Sequence, residues 1–282
     1  MGLIRWFMLV LGLLSTSVWG QVFWSITDGE GRQNWLLGTV HSEDPRLLDF
    51  HPDLISALRQ SQRLALELVP DSAMLARLNE AMHFDGPKLP EVLEAELYAS
   101  VIELMDRHYG MGEPATARMR PWAVAMTLSL PPPETGLFMD LALSFRAAGL
   151  GKEVVALETL DEQLSFLTGL SESAQIDMIR QAVSDFDRIP ELFEQLIATY
   201  LSGDLERLEA LSFEQLEAFD AEVKRHFQEA GLVERNRVML ERSRAWLDEG
   251  GLMIAVGALH LPGEHGLIAL LRAEGFQVEG VY

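Results

Sequence analysis

One phrase occurs twice in the chain: Gly38-Thr39-Val40-His41 and Gly257-Ala258-Leu259-His260 each close a short apolar run with Gly-x-x-His. The runs before them, Asn34-Trp35-Leu36-Leu37 and Leu252-Met253-Ile254-Ala255-Val256, are rich in large or β-branched residues, as buried strands require. Gly38 and Gly257 let the backbone turn sharply or approach a ligand where the strand ends. Each histidine then falls just past a carboxyl end, where open α/β sheets gather their binding groups. A single such histidine reads as a loop residue bonded to nearby backbone. Two copies after matching strands predict that the two ends of the chain meet at one site.

The rest of the pattern fits that arrangement. Val22 to Thr27 and Arg32 to Leu37 flank Asp28-Gly29-Glu30-Gly31, a hairpin turn. The Gly29-x-Gly31 pair lacks a third glycine at position 34, which excludes a dinucleotide fingerprint. Pro52 to Gln60 reads as a helix with proline in its first turn, and Arg63 to Val69 as the next strand. Alternation there puts Leu64, Leu66 and Leu68 on one face and Arg63, Ala65 and Glu67 on the other.

Residues 71 to 250 are mainly helical in pattern, punctuated at Gly86-Pro87, at Gly110 to Pro114, at Pro131-Pro132-Pro133, and at Gly203 and Gly231. Within them, Met139 to Ala148 is a helix, Glu153 to Leu157 a short strand, and Thr159-x-x-Glu162 a capping box. Gly250-Gly251 releases the chain into the second histidine-bearing strand, followed by a helix from Gly266 to Ala273 and a final strand from Phe276 to Val281. The expectation is one α/β domain over residues 21–282. Its central mixed sheet is built from the amino- and carboxyl-terminal parts, and its large helical insertion covers the ligand edge.

Residues 1–20 read as a signal peptide: Arg5, then an apolar stretch from Trp6 to Leu14, then small residues towards a cut after Gly20. A retained amino-terminal anchor is the alternative. Cleavage implies a periplasmic or secreted protein with no stable membrane insertion afterwards. The chain has no cysteine, so disulfides, thiolate ligands and a cysteine nucleophile are excluded. A net charge of −21 argues against a nucleic-acid partner and against anionic lipid surfaces. Gly-x-Ser-x-Gly, P-loop and His-Glu-x-x-His signatures are all missing.

Two neutral imidazoles and a carboxylate suit a borderline divalent ion, so His41, Glu67 and His260 are the candidate metal ligands. Such an ion would activate water and polarise a carbonyl, enough for amide or ester hydrolysis. Glu67 has a second reading as a strand-end carboxylate in water. Glu158 ends another apolar run and reads equally as a ligand or general base and as an acidic group near a helix start. Arg235 could stabilise an oxyanion or a substrate carboxylate, or pair on a helix surface as Glu234 and Glu241 would with other arginines. Asn236 is taken as its neighbour in orientation. His265 lies in a glycine-flanked loop and is a secondary candidate, and Asp140 has no derivable role.

The chain resembles the TraB/GumN family, also called TraB/PrgY/GumN, to which the animal Tiki metalloproteases are similar. The resemblance rests on Trp35-Leu36-Leu37-Gly38-Thr39-Val40-His41, on Leu64-Ala65-Leu66-Glu67-Leu68, and on Val155-Ala156-Leu157-Glu158-Thr159 with Glu162-Gln163. It continues through Glu234-Arg235-Asn236 and Val256-Gly257-Ala258-Leu259-His260-Leu261 to Gly275-Phe276-x-Val278. It implies a metal-dependent hydrolase, acting on a peptide or other small substrate, built around the two Gly-x-x-His motifs and a glutamate; beside that implication, the residues themselves make Glu67, Glu158 and Arg235 the catalytic candidates. Two alternatives stay open. One is a metal-free hydrolase using a histidine–glutamate pair, as in the distantly similar erythromycin esterases. The other is a non-catalytic metal- or haem-binding module, as the similar ChaN-like proteins suggest.

Overall fold

The structure, a computed structural model, describes residues 21–282, so the signal-peptide and cleavage readings lie outside the described residues. Six strands form one mixed sheet: β1 Phe23–Thr27, β2 Gln33–Thr39, β3 Arg63–Leu66, β4 Glu153–Ala156, β5 Leu252–Gly257 and β6 Gln277–Gly280. Their order is β4-β3-β5-β2-β1-β6. β4, β3, β5 and β2 run parallel, while β1 is antiparallel to both β2 and β6. The sheet is therefore shared by the two ends of the chain, as expected, with a large helical insertion between β3 and β5.

β5 is what brings the two phrases together. It slots between β3 and β2, and its register with β2 pairs Gly38 with Val256 and Thr39 with Gly257. Neighbouring strands lie roughly 4.8 Å apart. His41 and His260 thus leave the same end of adjacent parallel strands. A side-chain staple fixes this insertion: the buried Asn34 of β2 donates to Leu247 O at 3.0 Å and accepts from Leu252 N–H at 2.9 Å. Gly250 and Gly251, both at positive φ (78° and 76°), make the reversal that lets the preceding helix feed the sheet centre.

Two expectations change in detail. β3 ends at Leu66, short of the expected Val69, and Leu64, Ala65 and Leu66 are all buried, so both of its faces are covered. A central parallel strand is covered on both faces and reads as a continuous apolar run. Glu67 accordingly stands just past the ladder rather than within it. Gly231 does not interrupt its helix: the helix Ala221–Gln228 runs through a π-helical turn, Glu229–Val233, into the helix Glu234–Glu249. The short strand expected within the helical middle forms as β4 and pairs with β3 as an outer strand. The hairpin turn, the helix Pro52–Gln60 and the capping box of the helix Leu160–Thr168 form where the sequence puts them.

Among the described residues the apolar side chains form three clusters. One surrounds the sheet, a second lies within the helical insertion around Val101, Met105, Trp122 and Ile179, and a small third gathers Leu170, Ala174 and Val223. No helix among the described residues is long and apolar enough to cross a membrane.

Candidate functional site

Both glycines of the repeated phrase serve a close approach. A Cβ on Gly38 would come within 3.0 Å of the Ala258 backbone, so glycine lets the turn after β5 pack against β2. A Cβ on Gly257 would lie 3.2 Å from Glu67 Oε1, and the Gly257 N–H donates to that same oxygen at 2.7 Å. The Tyr200 hydroxyl, from the helix Ile189–Leu201, donates to Gly38 O at 2.7 Å and ties the insertion to this strand end.

His260 closes a 3-10 turn, Ala258–His260, and is only 4% exposed. Its Nδ1 lies 2.7 Å from Asn236 Oδ1, while Asn236 Nδ2 donates to His265 O at 2.8 Å. Because the amide nitrogen serves a carbonyl, its oxygen must accept, which assigns the neutral ring's hydrogen to Nδ1. The Nε2 lone pair is left facing Glu67 Oε1 at 3.7 Å.

Glu67 is held on its other side by a buried charge cluster. Arg235 donates through Nε to Glu158 Oε1 at 2.8 Å and through Nη2 to Glu158 Oε2 at 2.6 Å and Glu67 Oε2 at 2.7 Å. Gln163, in the first turns of the capped helix, donates to Glu67 Oε2 at 3.2 Å and Glu158 Oε2 at 3.1 Å. The Glu158 side chain is 1% exposed, so its charge depends on Arg235. Both its oxygens are engaged, and the guanidinium fork is filled by the two carboxylates. In this arrangement Glu158 and Arg235 anchor Glu67. Glu234 and Glu241 do make the ordinary exposed pairs, with Arg237 and Arg244.

Burial works to raise the Glu67 carboxyl, but the charges of His260 and Arg235 and the Gly257 N–H outweigh it and hold it below the usual carboxylate range. Burial pushes His260 the other way, below the ordinary imidazole value and towards neutrality. A desolvated imidazole is mostly neutral near pH 7, so the lasting positive neighbour of Glu67 is Arg235. Burial opposes the charge on Arg235 too, yet its hydrogen bonds to Glu158 and the two carboxylate charges raise it above the ordinary arginine value.

His41 sits at the same sheet end in different surroundings. It is exposed, no group among the described residues hydrogen-bonds its ring, and it stacks on Phe138 with centroids 3.9 Å apart and planes 19° apart. Two residues on, Asp140 accepts from Thr39 Oγ1 at 2.6 Å. Burial raises the Asp140 carboxyl, and the negative charge of Glu67 adds to that rise while His41 opposes it. Asp140 therefore lies within electrostatic reach of both. The structure bonds Glu67, Glu158 and Arg235 into one cluster, faces His260 towards Glu67, and leaves His41 beside them.

The donor set suits a divalent ion in part. Two tetrahedral ligands at roughly 2.0–2.2 Å from one ion stand about 3.3–3.6 Å apart, and His260 Nε2 to Glu67 Oε1 spans 3.7 Å, slightly more than that. A hydrogen bond on the other ring nitrogen is the support that metal-binding imidazoles receive. Among the described residues, no three His, Cys, Asp or Glu side chains converge closely enough to hold an ion. His265 is exposed, and only its carbonyl takes part.

Sequence reasoning gave no role to Gln163, Asp140 or Phe138, and treated Asn236 only as a neighbour of Arg235. Gln163 follows the capping-box glutamate directly and stands in the Glu162-Gln163 pair of the resemblance, the signals that could have pointed to it.

The model of the TraB/PrgY/gumN family matches residues 22–280. Among curated relatives, the chain is 26% identical over 298 residues to metalloprotease TIKI1 of Danio rerio, covering 87% of this chain and 60% of that protein. It is 24% identical to metalloprotease TIKI2 of Danio rerio, covering 87% and 58%. It is 26% identical to metalloprotease TIKI1 of Homo sapiens, covering 87% and 59%. The chain thus spans 58–60% of the length of these relatives. No solved structure matches it significantly.

Proposed function

The chain belongs to the TraB/PrgY/gumN family, and from that premise we propose that it is an exported, metal-dependent hydrolase acting on peptides. The observation that carries this reading is the approach of His260 Nε2 to Glu67 Oε1 at 3.7 Å, two acceptors facing one point. A cation is what such a pair attracts. The names of the similar relatives, metalloproteases, support the same chemistry.

His260 and Glu67 would hold the ion, with His41 as third donor from the neighbouring strand. A divalent ion bound there supplies water activation and carbonyl polarisation. The chain's own residues do the rest. Asn236 keeps the ring hydrogen on Nδ1 and so keeps Nε2 available. Arg235 and the Gly257 N–H keep Glu67 ionised and fixed. Glu158 balances Arg235 in a pocket where an unpaired charge would be costly. Asp140, whose carboxyl burial raises, is the group at this edge best suited to hold a proton.

The test offers the protein single divalent ions and a mixed peptide library, beside folded His41→Ala, Glu67→Gln and His260→Ala variants. Cleavage that needs an ion, stops with a chelator and falls steeply in each variant is expected. A second reading, hydrolysis by a histidine–glutamate pair without metal, is favoured by the compact His260–Glu67 pair standing apart from His41. Chelator-resistant turnover that still needs His260 would select it. Export is checked by sequencing the amino terminus of envelope material, where Gln21 is expected first.

A further inference from the structure

Two segments flanking the site are zipped together at three places. Thr39 bonds Asp140, His41 stacks on Phe138, and Glu43 grips the turn that precedes them. The Glu43 carboxylate accepts the backbone N–H groups of Glu134 at 3.1 Å, Thr135 at 2.6 Å and Gly136 at 2.9 Å, and the Thr135 hydroxyl at 2.8 Å. Residues 131–136 are otherwise fully exposed, and Gly136 adopts φ 73° to complete the turn. A half-buried carboxylate that satisfies three consecutive amides closes a miniature anion nest and fixes the local backbone.

His260 has Asn236 to orient it, whereas His41 has only the Phe138 ring. We infer that residues 134–140 form a strap, pinned by Glu43, that positions the His41 imidazole through Phe138 at the mouth of the site. Glu43 and Phe138 are then positioning residues. The inference rests on the reading of His41 as a site residue, and it deepens that reading by naming what holds the looser histidine in place.

The strap can be loosened without touching His41. A Cβ on Gly136 would meet open space, so Gly136→Val acts through the backbone alone, by forcing a β-branched residue into a positive φ. The first readout is the His41 ring-proton resonances, which stacking on Phe138 displaces upfield. Phe138→Leu should abolish that displacement, Gly136→Val should reduce it, and Phe138→Tyr should keep it. The second readout is cobalt(II) titration followed by absorbance, where Phe138→Leu and Gly136→Val should weaken binding about tenfold, as loss of ligand support does, and Phe138→Tyr should not.

Unchanged His41 resonances in Gly136→Val and Phe138→Leu would overturn the strap. So would wild-type cobalt affinity in both variants when His41→Ala itself weakens binding. Wild-type affinity in His41→Ala, with the resonances moving as expected, would uphold the strap and instead refute His41 as a metal ligand.

Discussion

The imidazole of His260 is buried, with one nitrogen on Asn236 and the other beside Glu67, while that of His41, one strand over, is exposed and rests on Phe138. Identical spacing after parallel neighbours has produced one fixed unit and one loosely held unit. The path of the chain beyond each strand makes the difference. After β5 the chain tightens into a 3-10 turn packed under Gly38 and against the helix Glu234–Glu249. After β2 it opens into a loop tied to the insertion by the Thr39–Asp140 bond, the His41–Phe138 stack and the Glu43 carboxylate. A site built this way keeps its charge arrangement rigid and leaves one donor able to adjust.

The largest way to break the fixed unit is Arg235→Met, which strands Glu158 in a dry pocket. It should cost about 3–5 kcal/mol in urea unfolding. His41→Ala, on the loose side, should stay within about 0.5 kcal/mol of wild type. Equal costs would mean that the two units are not held differently. Gly38→Ala comes next. Its methyl group would sit 3.0 Å from the Ala258 backbone and press the two units apart, for about 1–3 kcal/mol.

The smallest effect is acid sensitivity. His260 has a folded value below its ordinary 6.5, so the folded form takes up its proton less readily than the unfolded chain and loses stability as pH falls below 6.5. Glu67, held below 4.5, contributes stability that is present above 4.5 and is lost as pH falls through its lowered folded value. Urea midpoints should therefore fall between pH 7 and 5 in wild type, and His260→Gln should flatten that slope.

How much was legible divides along the same line. Periodicity and turn chemistry are local, so the hairpin, the capping box, the strand placements and the glycine-released turn into β5 could be read directly. Glu67, Glu158, Arg235 and His260 could be singled out because each follows an apolar run or belongs to a recognisable phrase. Their grouping could not be read. Arg235 reaches Glu67 across 168 positions, and Phe138 meets His41 only because the insertion folds back onto β2. Asn236 reads from the sequence only as a neighbour of Arg235 in orientation. The π-turn ahead of it and the packing of its helix on the sheet decide that both residues face inward. Glu158 shows the opposite effect, since a residue that suggested a proton carrier turned out to have both oxygens committed to Arg235.

The central claim is that the two Gly-x-x-His units serve one ion, and anomalous diffraction from crystals grown with zinc tests it most directly. The account predicts one strong peak at roughly 2.0–2.2 Å from His260 Nε2, a Glu67 carboxylate oxygen and a ring nitrogen of His41. A peak held by His260 and Glu67 without His41, or a peak elsewhere in the molecule, would contradict it.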